Sequence, residues 1–100
     1  VTVSANGARG EVIAILAGED RRLCLTLGAL AEMETAFGLS GWEALSDRLR
    51  RLSPGDVLTV LRALLRGGGE DRVAEALASL PVDFREAVDA VAQALQAAGG

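Results

Sequence analysis

From Glu11 to Ala17 the chain is apolar at nearly every position, through Val12, Ile13, Ile15 and Leu16. Gly18-Glu19-Asp20-Arg21 interrupts this run as a turn. From Arg22 to Leu27 the pattern alternates, with Leu23, Leu25 and Leu27 on one side and Arg22, Cys24 and Thr26 on the other. The two segments predict a β-hairpin. Its second strand has one apolar face, whereas its first has two. A lone hairpin is marginal in water, so this one must lie on helices or pair with other strands. The second face of the first strand has either of those fates open to it.

Beyond the hairpin the apolar spacing changes from two to three and four, the helical period. Thr26 predicts the cap of a helix over Leu27–Phe37 that stops at Gly38, with Leu27, Leu30, Ala31, Met33 and Phe37 inward. Ser40 predicts a second cap, followed by Trp42, Leu45, Leu49 and Leu52 on one face. Asp47 and Arg51, four apart, suit a surface ion pair. Ser53-Pro54-Gly55-Asp56 is the sharpest local pattern: a cap, a proline at the first helical position and an acid placed to close a capping box. The helix it opens carries Val57, Leu58, Leu61, Leu64 and Leu65 and ends at Gly67-Gly68-Gly69, the best hinge in the chain. A fourth helix is expected over Glu70–Leu80, broken by Pro81. Asp83 with Glu86 predicts a capping box for a fifth, whose Phe84, Val88, Val91 and Leu95 form a heptad-like seam. Residues 1–10 mix Ser, Asn, Gly and Ala and read as a flexible N-terminal arm, leaving one domain over 11–98. The fold class is α+β: an N-terminal β-hairpin followed by four or five short helices, mainly helical.

Composition supports that reading. The chain has 100 residues, and half of them are hydrophobic, but aromatics make up only 3%. Its core must come from 16 Leu, 18 Ala and the valines, a mixture that favours helix. No stretch is long and apolar enough to cross a membrane, which takes about 20 residues. With no basic flank and apolar core of a signal peptide either, the expectation is a cytoplasmic protein.

Charge narrows the function. The net charge is −4 and every one of the ten cations is Arg. Residues 41–66 hold five Arg against three acids, and residues 70–100 hold two Arg against six acids. That makes a dipolar molecule more than a nucleic-acid reader, which needs a basic patch. Binding through Arg48, Arg50, Arg51, Arg62 and Arg66 is the unfavoured alternative. There is no His, Lys or Tyr. The usual general acid–base residue, the Schiff-base amine and the phosphate-loop lysine are therefore all missing. No enzyme is expected.

The remaining candidates have plain readings. Gly67-Gly68-Gly69 lacks the lysine of a phosphate cradle and is followed by Glu70-Asp71, so a hinge or helix stop is favoured. Cys24 has no histidine to activate it and reads as a small buried residue. Glu32 and Glu34 point to different faces of a helix. Asp83, Glu86 and Asp89 form an acidic stripe that reads as a solvated face, and no metal site follows from it. Trp42 is expected to anchor the core. Arg48, Arg50 and Arg51 read as a solvated basic knot. Ala87, Ala90, Ala94 and Ala98 permit close approach of the last helix, to its own domain in the first instance.

The order of the parts carries a resemblance. Arg9-Gly10-Glu11-Val12 leads into the hairpin, then comes Leu25-Thr26-Leu27-Gly28-Ala29-Leu30-Ala31-Glu32-Met33-Glu34. Ser53-Pro54-Gly55-Asp56-Val57 and Leu64-Leu65-Arg66-Gly67-Gly68-Gly69 follow. Over residues 9–96 the chain resembles small proteins encoded among the tail genes of gene transfer agents and related prophages of alphaproteobacteria. That family has been labelled tail-tube-like and also grouped with phage tail assembly chaperones. The resemblance implies an assembly adaptor without catalysis or cofactor, with a tape-measure protein and a tail-tube protein as partners. A structural tail component is the alternative. The expected partner contacts are Ile13 and Ile15 on the first strand and Phe84, Val88, Val91 and Leu95 on the last helix.

Overall fold

Ala17 and Gly18 make the first reversal of the chain. Both have positive φ, 54° and 81°, the pairing that matches the twist of a two-residue hairpin turn. The computed structural model describes residues 10–99, so the arm expected over residues 1–10 lies outside them except for Gly10. Strand β1 is Glu11–Leu16 and strand β2 is Glu19–Cys24. They pair antiparallel from Leu16↔Glu19 to Glu11↔Cys24. The turn is therefore tighter than the expected Gly18–Arg21, and β2 begins three residues earlier. It also ends earlier, because Thr26 already caps the next helix and cannot remain in a ladder.

An alanine at positive φ is strained, since its Cβ crowds the following carbonyl. Ala17→Asn is therefore expected to stabilise the fold by about 1 kcal/mol and raise the melting temperature by several degrees. Thermal unfolding followed by circular dichroism checks this.

Helix α1, Leu27–Phe37, starts at Thr26, whose Oγ1 accepts the Ala29 N–H at 3.0 Å. It ends at Gly38 in the left-handed region. Its buried positions are Ala29 and Met33, with Leu30 and Phe37 half-buried. Leu27 and Ala31, expected inward, are exposed; Leu27 is 83% accessible. The contact stripe is rotated because the small Ala29 lets α1 settle on the next long helix.

Helix α2, Trp42–Leu49, is capped by Gly41 instead of Ser40, and Gly41 N–H donates to Glu34 Oε2 at 2.8 Å. It stops at Leu49, short of Leu52, because the chain must turn into the following cap. Helix α3, Pro54–Gly67, shows both arms of the expected capping box: Asp56 N–H to Ser53 Oγ and Ser53 N–H to Asp56 Oδ2, each 3.2 Å. Val57, Val60, Leu61, Ala63, Leu64 and Leu65 are all buried. Helix α3 is apolar around most of its circumference, as a central helix must be. It packs against α1, β2 and both later helices.

The fourth segment is less regular than its pattern suggests. Helix α4 covers only Asp71–Ala76 and tightens into a 3-10 turn at Leu77–Ser79. Leu80 is extended at ψ 148°, as a residue before proline is pushed to be. Helix α5, Phe84–Gly99, then crosses β1 and α3. The architecture is the expected α+β fold, a two-stranded hairpin and five mainly short helices.

Gly67 and Gly68 correct the hinge reading. A Cβ on Gly67 would lie 2.1 Å from the Cys24 carbonyl oxygen, and one on Gly68 would lie 2.1 Å from that of Arg22. These glycines let the end of α3 lie directly on the backbone of β2. Helix termination is shared with Gly69, which alone of the three has a positive φ, 84°.

Candidate partner-binding surface

Helix α5 sorts its residues by size. Ala87, Ala90, Val91 and Ala94 are buried and form its docking face. The small side chains thus serve the intramolecular contact. The larger members of the expected seam fall on the flank beside it. Phe84 is 55% exposed, Val88 38%, and Leu95 is half-buried. Val91 is buried at 4% and belongs to the core.

On this flank an apolar cleft of about 350 Å³ runs between Phe84, Val88 and Val91 on one side and Leu49, Leu52 and Val57 on the other. A second hollow of about 740 Å³ continues it past Leu25, Leu30, Leu49, Leu95 and Trp42. Trp42, expected as a core anchor, stands 59% exposed at its lip. Sequence reasoning missed this role, along with those of Leu49 and Leu52. The pattern puts all of them on one face with Leu45, but the observed helix has eight residues and buries only Leu45, which leaves its first-turn indole outside.

The opposite flank of α5 is acidic. Asp83, Glu86 and Asp89 face β1 across an open groove of about 610 Å³, which Ile13 and Ile15 line from the strand side. Ile13 is half-buried and Ile15 is 60% exposed. The structure therefore brings Ile13 and Ile15 together on one surface and Phe84, Val88 and Leu95 on another. Helix α5 separates the two.

Glu86 does not behave as the sequence suggests. Asp83 holds the N-cap position by its backbone, its carbonyl accepting the Ala87 N–H at 3.0 Å. The Glu86 carboxylate, expected to complete a capping box, instead accepts the Ala17 N–H at 3.1 Å across 69 residues. It pins the strained hairpin turn to α5.

Within the basic stretch most arginines hold partners of the fold itself. Arg48 donates twice to Asp56, from Nε to Oδ2 at 3.1 Å and from Nη2 to Oδ1 at 3.0 Å. Its guanidinium also lies 4.5 Å from the centroid of the Phe37 ring. Arg66 pairs with Glu32, and Arg62 donates to the Ala74 carbonyl at 3.4 Å. Asp47 faces Arg50 at 3.9 Å, a neighbour one residue from the expected Arg51. Four of the five arginines that could have formed a phosphate-binding patch thus hold partners of their own, which weakens any such patch.

The Arg48 hydrogen bonds, followed by the Ser53 N–H, hold the Asp56 carboxyl below the usual carboxylate range, and Asp56 raises Arg48 in turn. A depressed carboxyl stabilises the fold above its ordinary pKa, about 3.9, and that contribution is lost as the pH falls through the folded value. The gap in urea midpoint between the native chain and Asp56→Asn is thus expected to be widest above the ordinary carboxylate pKa of about 3.9 and to close as the pH falls below it. Denaturation curves across that range measure it.

Cys24 is buried at 2% beneath the end of α3. Among the described residues no three His, Cys, Asp or Glu side chains gather closely enough to hold a metal ion. Among the same residues no helix is long and apolar enough to cross a membrane. The described surface carries two kinds of recess, an apolar cleft and an acid-rimmed groove beside the first strand. Compared with known proteins, residues 9–99 match a family model described as phage tail tube protein, GTA-gp10. No curated protein and no solved structure matches.

Proposed function

We propose that the chain, which belongs to the phage tail tube protein, GTA-gp10 family, is a structural component of a phage-type tail. It would hold neighbouring tail proteins through apolar and charged surface and run no chemistry. The family match over nearly the whole chain carries this reading. The exposed Phe84, Val88, Trp42 and Ile15 support it, because large apolar side chains grouped on clefts mark interaction sites. The test is the protein content of purified particles. A structural component is present at a fixed, stoichiometric copy number; absence from intact particles overturns the reading.

One observation favours a second reading, an assembly adaptor that binds tape-measure and tail-tube proteins in the host cytoplasm before the particle is complete. The described residues hold two strands of six residues each against five helices. A tube wall built from extended sheet needs more strand than that. The apolar cleft between α2 and α5 has the character of a groove for an amphipathic helix, and a tape measure is a long helical polypeptide. An adaptor is absent from purified particles yet raises the solubility of a co-expressed tape measure. Presence in particles with no effect on that solubility excludes it.

A further inference from the structure

We propose that the outer edge of β1 accepts an extended, basic segment of a partner protein as a third strand. The two edges of the hairpin are treated differently by the rest of the fold. On the β2 side the outward Arg22 N–H donates to Glu70 Oε2 at 2.9 Å. The Arg22 and Cys24 carbonyls lie against Gly68 and Gly67. That edge is closed.

Among the described residues the β1 edge is open from Ile13 to Ile15. In a hairpin whose two-residue turn follows Leu16, the backbones of Leu16, Ala14 and Val12 face β2. Those of Ile13 and Ile15 face outward, and among the described residues their outward N–H and C=O groups take no hydrogen bond. Beside them lies the open groove of about 610 Å³ between the strand and the acidic flank of α5. Natural edge strands are commonly blunted by a proline, a charge or a bulge. Strand β1 carries one charge, Glu11 at its first position, and from Val12 to Leu16 it contains none of these. An unblunted edge with an exposed isoleucine and room alongside is the geometry of strand addition, where main-chain hydrogen bonds supply affinity and side chains supply choice.

Charge selects the occupant. Asp83 and Asp89 on the groove wall are exposed and hold no ion pair among the described residues, and Arg85 is the one cation there. A strand carrying Lys or Arg between apolar residues meets opposite charge along its length. A second copy of this chain would bring its own acidic rim and the Glu11 end of its own β1 to the same place, against repulsion. The proposal names what one surface of the tail-protein reading takes, and rests on that reading only for the origin of the partner.

The probe is a blocked eight-residue peptide alternating lysine with valine or isoleucine, titrated into the full chain and followed by amide NMR. Exchange at Ile13 and Ile15 is expected to slow on binding, and affinity to fall with added salt. The double variant Asp83→Asn/Asp89→Asn, which changes only surface carboxylates, is expected to weaken binding about fivefold. Alternate backbone N-methylation of the peptide is expected to abolish it. Equal binding of the glutamate-for-lysine peptide overturns the proposal, as does no slowing at Ile13 and Ile15. Protection of those amides in the free chain, or concentration-dependent dimerisation through them, shows the edge filled by the chain itself and overturns it too. Particle composition is unaffected by any of these results, so the tail-protein reading stands or falls separately.

Discussion

Gly68→Ala is expected to lower the melting temperature by about 15 °C, a loss of about 3 kcal/mol in a domain of this size. The added Cβ would fall 2.1 Å from the Arg22 carbonyl oxygen, 2.5 Å from its carbon and 3.0 Å from the Leu23 Cα. All three are backbone atoms, so no rotamer change relieves the clash. The end of α3 must lift from β2 instead. That movement also weakens the hydrogen bond from Arg22 N–H to Glu70, just past the glycines that end α3. Gly67→Ala meets the Cys24 carbonyl at the same distance and is expected to behave alike. Gly69→Asn is the control. Nothing lies within 4 Å of a Cβ there, and asparagine tolerates the positive φ. Its melting temperature is expected to stay within a few degrees of the native value. A Gly68→Ala chain that melts as the native chain does would contradict the close approach of α3 to the hairpin.

Leu64→Ala is the second large effect, expected to cost about 3 kcal/mol, within the 2–5 kcal/mol typical of emptied core leucine sites. Leu64 is fully buried on α3, the helix in contact with α1, α4, α5 and β2. Leu27→Ala removes the same atoms from a side chain that is 83% exposed, and is expected to change stability by less than about 0.5 kcal/mol. Urea denaturation of both variants gives the comparison directly. The sequence pattern places both leucines in helices and both inward, so the pair separates the observed packing from the periodicity alone.

What the sequence makes legible here is local chemistry. Thr26, Gly38 and the Ser53–Asp56 box act through neighbours within a turn, and each appears in the structure at its expected place. The hairpin is legible for the same reason, although its turn is not. Ala17 at positive φ contradicts residue preference, and it is held by a Glu86 carboxylate that no local pattern could connect to it. Glu86 has the right spacing for a capping box, and tertiary contact diverts it. The glycines show the same limit. Three in a row after a helix read as a stop, while the close approach of Gly67 and Gly68 to β2 depends on a strand more than 40 residues earlier.

The candidate site divides along the same line. Periodicity finds Phe84, Val88, Val91 and Leu95 as one seam, but it cannot say which side of a helix is docked. Alanine decides that here, because Ala87, Ala90 and Ala94 are buried with Val91 in a helix that lies against β1 and α3. Ile13 and Ile15 are legible as the second apolar face of the first strand. Their separation from Phe84 and Val88 by the body of α5 is a property of the fold alone.

Trp42 gives this molecule an optical consequence. It is the sole tryptophan and the chain has no tyrosine, so near-ultraviolet emission comes essentially from one indole at the mouth of the α2–α5 hollow. A ligand that fills the hollow dries that ring and moves its emission to shorter wavelength. A strand added beyond Ile13 and Ile15 leaves the colour unchanged. An unlabelled sample in a fluorimeter thus reports which side of the protein a tail component has taken.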